Sequence, residues 1–236
     1  MSRRVGYPRV HHRLTDSTNA RARELAIAGA PDGTIVTATE QSAGRGRQGR
    51  SWTAPPARSL LLSLIVTGLG RGDALLPLAV PVAVAEACDE FAGRRCGIKW
   101  PNDVWIADRK VAGILLEGRP QEGWAVIGIG LNVGTTEQEL PPELRDSATS
   151  LALASGVKPK VELVLQAVLA YLQLRLGDRP ARILDAWRER DILRGREVRW
   201  NGGNGTAAGL DESGGLIVDT DAGRVVLDAG EVHLFR

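Results

Sequence analysis

The stretch Gln41-Ser42-Ala43-Gly44-Arg45-Gly46-Arg47-Gln48-Gly49-Arg50-Ser51-Trp52 decides what kind of fold the chain can have. Gly44, Gly46 and Gly49 satisfy the spacing G-x-G-x-x-G, which in a dinucleotide-binding domain turns a strand directly into a helix whose N-terminus holds a pyrophosphate. Here Pro55 and Pro56 follow, and then the apolar run 60–67, which is of strand length. No helix begins where that fold needs one, and three arginines inside the motif have no role in a tight strand-to-helix turn. The segment reads instead as a mobile loop on glycine hinges, bringing Arg45, Arg47 and Arg50 to an anionic ligand and closing over it. Trp52 adds a flat face for a base or another planar group.

Working outward, residues 19–28 read as a helix, with N-cap oxygens from Asp16, Ser17 and Thr18 and Gly29 just past the end. A short strand is expected at 34–39. A helix is expected at 75–91, since Pro77 and Pro81 are tolerable near a helix start or at a kink. Residues 98–100, 104–107 and 111–117 read as strands, the last two forming a hairpin turned at Asp108-Arg109. A further strand spans 124–133, where the glycines signal a bulge or close backbone approach. The clearest amphipathic helix is 161–176, with Leu165, Leu169, Leu172 and Leu176 on one stripe. A last helix covers 181–190. From residue 195 the chain breaks into four or five short strands punctuated by Asn201-Gly202-Gly203-Asn204-Gly205, Ser213-Gly214-Gly215 and Asp221-Ala222-Gly223. These features predict an α+β fold: a mixed β-sheet with packed helices over 1–192, and a small β-barrel over 193–236. A module that short has a marginal core of its own and must lean on the larger domain.

Composition narrows the function. The chain has 236 residues, 43% hydrophobic and 25% charged, with a formal net charge of +2. Disordered, collagen-like and disulfide-scaffold classes are excluded. Cys88, Cys96 and three histidines, His11, His12 and His233, cannot build a histidine- or cysteine-based metal cage. The longest apolar stretch, 74–88, is interrupted by Pro77, Pro81 and Glu86 and is shorter than the ~20 residues of a membrane helix. Few cysteines and a start without signal-peptide character predict a cytoplasmic protein with no membrane partner. An Arg/Gly loop also suits RNA, but a net charge near zero argues against a nucleic-acid footprint. Of the 30 basic residues only Lys99, Lys110, Lys158 and Lys160 are lysine, so a compact ammonium at Lys99 or Lys110 invites a specific reason.

Three further constellations carry chemistry. In Lys99-Trp100-Pro101-Asn102-Asp103, proline stiffens the backbone so that an amide and a carboxylate emerge side by side, as positioning Mg²⁺ with its waters and a triphosphate requires; an Asn-Asp turn capped by its own side chains fits equally well. In Lys110-Val111-Ala112-Gly113-Ile114-Leu115-Leu116-Glu117, a lysine at the mouth of an apolar strand is followed by a glycine that allows close approach. In Gly128-Ile129-Gly130-Leu131-Asn132-Val133 one amide is embedded among hydrophobic neighbours. A buried Asn must be hydrogen-bonded, so Asn132 either ties down a loop or reads a ligand.

Taken together and in this order, from Asp16-Ser17-Thr18-Asn19 to Gly130-Leu131-Asn132 and the β-rich C-terminus, the motifs resemble the biotin protein ligase family. The resemblance implies a biotin/lipoate ligase-like catalytic domain followed by an SH3-like barrel. It implies that Ser17, Thr18, Asn19 and Gln41 hold the biotin ureido ring, and that Arg45, Gly46 and Arg47 belong to a loop that folds over biotin and its adenylate. Lys110, beside Gly113, would reach the biotin carboxylate and the α-phosphate. Arg50 would meet the triphosphate and Trp52 the adenine; Asn102 and Asn132 would face the nucleotide, and Asp103 the metal. The implied reaction consumes ATP with Mg²⁺, makes biotinyl-5′-AMP, and transfers biotin to a lysine of a biotin carboxyl carrier protein. Arg47 and Lys110 are the expected catalytic pair. Some members of the family carry an N-terminal DNA-binding domain; with Ser17 so near the start, no DNA partner is expected. A lipoate or octanoate ligase of the same architecture is the nearest alternative, and a non-catalytic RNA-binding protein the alternative of another class. Trp105, Trp124, Trp187 and Trp200 are expected to pack, and His11 and His12 to sit in a solvated or strand-edge position.

Overall fold

The computed structural model describes residues 4–228 and 230–234. The outer limits expected for the two domains, Met1 and Arg236, lie outside the described residues. The chain opens with a strand–helix–strand unit: β1 (Arg9–Thr15), α1 (Thr18–Ile27) and β2 (Ile35–Gln41), with β1 and β2 paired in parallel, Arg9 opposite Ile35. Then come β3 (Ser59–Thr67), α2 (Leu76–Ala92), β4 (Gly97–Lys99), β5 (Asp103–Ile106), β6 (Arg109–Arg119) and β7 (Trp124–Asn132). They complete a seven-stranded mixed sheet in the order β1-β2-β3-β7-β6-β5-β4. Helices α3 (Leu151–Ser155), α4 (Val161–Arg175) and α5 (Pro180–Arg188) follow.

The two faces of this sheet differ because β3 and β7 alternate differently on each side. Leu60, Leu62, Leu64 and Val66 of β3 and Ile127, Ile129 and Leu131 of β7 enter one large core with α2 and α4. Each leucine so buried contributes about 1.5–3 kcal/mol. On the other face, α1 covers only part of the sheet: Ala22 and Ala26 pack with Val36, Ile65, Trp124 and Val126. Beyond the N-terminus of α1 the same face continues as Leu61, Gly128, Gly130 and Gly113, where no helix covers it and a cavity opens.

The barrel expected at the C-terminus is a five-stranded antiparallel sheet: β8 (Glu197–Trp200), β9 (Gly203–Leu210), β10 (Leu216–Thr220), β11 (Gly223–Leu227) and β12 (Val232–Leu234), ordered β11-β10-β9-β8-β12. It leans on the larger unit as its size demands. Val198, Ala207, Leu216 and Val218 belong to the same core as Leu78 of α2, and the Trp100 indole N–H donates to the Gly214 carbonyl at 3.1 Å.

Helix α3 was not foreseen, and two strand details also depart from expectation. Strand β1 was not foreseen as a strand: it lies at the sheet edge with exposed and half-buried residues alternating irregularly, which weakens the apolar signal. It does hold His11 and His12 in the strand-edge position expected of them. The β5–β6 hairpin turns at Ala107-Asp108, both at φ +43°, one residue before the expected Asp108-Arg109, so Arg109 already belongs to β6.

Candidate active site

The cavity over the glycine floor has a volume of about 700 Å³, within the range of small-molecule sites. All the residues singled out from the sequence as ligand-facing line it, from Ser17 to Asn132.

One end is built by the start of α1. Ser17 is its N-cap, and the hydroxyl makes no bond to the helix it caps, leaving it turned to the cavity. Gln41, at the end of β2, accepts through Oε1 from the Thr18 N–H at 2.7 Å and the Thr18 hydroxyl at 2.9 Å. The Ser63 hydroxyl lies 2.8 Å from Thr18 Oγ1 and 2.6 Å from Asn19 Oδ1. Asn19 Nδ2 donates to Glu117 at 2.7 Å. The polar groups of this end are therefore fixed before any ligand arrives. Gly128 has to be glycine, because a Cβ there would collide with the Asn19 amide.

The roof is the Arg/Gly segment, which folds into a tongue hydrogen-bonded to itself. The Trp52 N–H donates to the Gly44 carbonyl at 3.0 Å, Arg45 pairs with Ser51, and the Gly46 N–H donates to the Arg50 carbonyl at 2.6 Å. Gln48 at φ +54° and Gly49 at φ +75° make the left-handed turn at its tip. Trp52 then lies flat on the floor, where a side chain on Gly130 would strike its ring, and a Cβ at Gly113 would come within 3.2 Å of it.

The far end is cationic. Lys110 Nζ sits 2.7 Å from Asp103 Oδ1 and 5.9 Å from the centre of the Trp52 ring. Arg47 donates to Asn102 Oδ1 at 3.2 Å and to the Gly230 carbonyl at 3.3 Å, while Asn102 Nδ2 donates to the Ile114 carbonyl at 2.6 Å. Arg50 pairs with Glu231 at 2.7 Å. Burial lowers the proton affinity of Lys99 and of Arg47, and for both the carboxylates of Asp103 and Glu231 work in the opposite direction. Asn132, buried, accepts from the Ser59 hydroxyl at 3.3 Å and donates to the Thr149 carbonyl at 3.1 Å. Of the two roles the sequence left open for it, tying down a loop is visible directly, and its amide also forms part of the cavity wall.

Trp105 and Glu231 were missed by sequence reasoning, and Lys99 was singled out by it without a role. Trp105, expected to pack, faces the cavity, and its indole N–H, like that of Trp52, is buried without an acceptor among the described residues. A buried donor without a partner in a cavity wall fits a site that a polar ligand completes. Lys99 lies over the Trp105 ring at 5.4 Å; its rarity as a lysine was the available signal. Glu231 comes from the second sheet's terminal segment, and nothing in its local sequence marks it.

The model of the biotin/lipoate A/B protein ligase family matches residues 11–133, and that of the biotin protein ligase C terminal domain matches residues 194–234. The chain is 35% identical over 246 residues to a bifunctional ligase/repressor BirA of Bacillus subtilis, covering 98% of this chain and 75% of that protein. It is 34% identical over 248 residues to a biotin–[acetyl-CoA-carboxylase] ligase of Mycobacterium tuberculosis, covering 93% of this chain and 86% of that one. Its fold matches the biotin protein ligase from Aquifex aeolicus in complex with biotin and ATP with a TM-score of 0.85 at 29% identity, covering 98% and 99% of the two chains.

Proposed function

Since the chain belongs to the biotin/lipoate A/B protein ligase family, we infer that it is an ATP-dependent ligase that activates biotin and transfers it to an acceptor protein. The observation that carries this reading is the polarity of the cavity. One end offers uncharged, preset hydrogen-bonding groups from Ser17, Thr18, Asn19 and Gln41; the other offers Arg47, Arg50, Lys99 and Lys110. A neutral ureido ring suits the first end, and a carboxylate beside a polyphosphate suits the second.

A carboxylate is a poor electrophile, so the first step is attack of the biotin carboxylate on the α-phosphate of ATP. The bond to the bridging oxygen breaks and pyrophosphate leaves. Charge accumulates on the phosphoryl oxygens in that displacement, and Lys110 and Arg47 are assigned to offset it with charge-assisted hydrogen bonds. In the second step the acceptor lysine's amine attacks the carbonyl of the mixed anhydride, AMP leaves, and the amine loses a proton. Arg45, Gly46 and Arg47 hold the tongue over the intermediate and exclude water. Trp52, Asn102 and Asn132 are assigned to the nucleotide, and Gly113 gives the ligand access to the floor.

Mg²⁺ enters this scheme as part of the ATP substrate. Among the described residues no three His, Cys, Asp or Glu side chains cluster as a metal cage. The Asp103 carboxylate is already on Lys110. An ion arriving with ATP would be held chiefly by phosphate oxygens and water, as Mg²⁺ commonly is, and Asp103 would have to share its carboxylate between Lys110 and the ion. The same proposal takes the acceptor to be a biotin carboxyl carrier protein, puts the domain division at residues 192 and 193, and sets the work in the cytoplasm. Among the described residues no helix is long and apolar enough to cross a membrane.

Biotin-dependent exchange of labelled pyrophosphate into ATP, with lipoate and octanoate in parallel, tests the reading. Exchange with biotin is expected. Exchange with lipoate or octanoate instead would change the substrate, and exchange with none of the three would remove the adenylating function.

A further inference from the structure

The two arginines at the tip of the tongue both reach residues 230–231, the short segment just before β12. Arg47 donates to the Gly230 carbonyl, and Arg50 is paired with Glu231 at 2.7 Å. Together with Lys99 they surround a small annex of the main cavity that also reaches Asp103. Asp103 is committed to Lys110. Glu231 is therefore the carboxylate that answers the Arg50 charge, while the Lys99 ammonium has a ring beneath it and no ion pair among the described residues.

We propose that Glu231 is a displaceable anion: it occupies the cation cluster that receives the β- and γ-phosphates of ATP, and it retakes Arg50 as pyrophosphate leaves. This rests on the ligase reading above. The side chains of Arg50 and Glu231 are 59% and 30% exposed, and an ion pair that open to water is weak. A polyphosphate carrying several charges and many acceptor oxygens outcompetes a single carboxylate for Arg50, Arg47 and Lys99. Once the α–β bond has broken, the same carboxylate competes with the departing pyrophosphate and hastens its release. Glu231 is thus a positioning residue whose charge opposes ligand binding. The C-terminal sheet enters the catalytic cycle through it.

The sign of the effect distinguishes this role from a structural one. Neutralising an acidic residue that merely held the tongue in place would weaken binding. Neutralising a competing anion strengthens it. Calorimetric titration of pyrophosphate into the full chain at low salt should give about 5-fold tighter binding for Glu231→Gln than for the natural protein. Glu231→Asp, which keeps the charge, should return the affinity toward the natural value, and the gain should shrink at high salt. Glu231→Ala serves as a second neutral variant if the glutamine protein does not fold. Unchanged or weaker pyrophosphate binding in a folded neutral variant would overturn the proposal. Biotin-dependent exchange in the natural protein is scored separately, so failure of the ligase reading and failure of the Glu231 role are distinguishable.

Discussion

Lys110 concentrates the chemistry of the site in one side chain. In a chain with 26 arginines and four lysines, a lysine here supplies a small, rotatable ammonium packed close to Gly113 and Trp52. Lys110→Ala should lower biotin-dependent pyrophosphate exchange by about 10²–10³-fold, the usual loss when a donor to developing charge is removed. Its melting temperature should stay close to that of the natural protein, because the side chain is one-third exposed and outside the core. Activity within a few-fold of normal would remove Lys110 from the reacting atoms. At this scale the sequence was readable where a residue type was out of keeping with its surroundings. It was silent where partners lie far apart along the chain, as with Arg50 and Glu231, and where a tryptophan such as Trp105 serves a wall instead of a core.

Among the elements, the tongue over 44–52 has the most to do and the fewest outside attachments. Arg47 fastens it to Asn102 and to Gly230, so Arg47→Gly should cut both of these ties and leave the tongue's internal ladder and the exposed Arg50–Glu231 pair. Retained labelled adenylate should then escape about 10-fold faster, since two hydrogen bonds to a charged group are lost, and acylation of unrelated lysines should rise with it. An unchanged escape rate, read by filter binding, would dismiss the tongue as the retaining element. The glycines and arginines announced this loop in the sequence. Its internal pairing was not announced, because it depends on Gln48 taking a left-handed conformation that a glutamine rarely adopts. Most other elements were legible to within a few residues from apolar period and turn residues. β1 was not, since an edge strand needs few buried side chains.

Between α5 and the second sheet, Asp191 accepts from the Leu193 N–H at 2.8 Å, and burial raises its carboxyl above the ordinary aspartate value. The folded state then binds a proton more readily than the unfolded one just above that value. Asp191 therefore makes stability fall as pH rises through its raised folded value. Asp191→Asn should flatten that part of a melting-temperature profile; an unaltered slope would show that the carboxyl titrates normally.

For the molecule as a whole, the governing feature is a core that runs without interruption from α4 through α2 into the second sheet. Independent melting of that sheet would expose Leu78, Trp100 and their neighbours, so calorimetry should show one cooperative transition. Two resolved transitions would mean that the shared core does not couple the units. The sequence disclosed the change of character near Leu193 and that so short a module must lean on the larger unit, but not which elements meet, because single-chain periodicity says which face of an element is apolar and not which distant element covers it.

The Lys110–Asp103 pair has a meaning beyond holding a charge in place. The intermediate of this reaction is an acylating agent, and Lys110 lines the cavity proposed to hold it. An enzyme lysine free to turn toward that carbonyl would compete with the acceptor, and each turnover would risk ending in self-labelling. Held 2.7 Å from the Asp103 carboxylate, its nitrogen is turned to the enzyme's own anion. The enzyme keeps its own lysine from becoming the acceptor by the same contact that makes it useful.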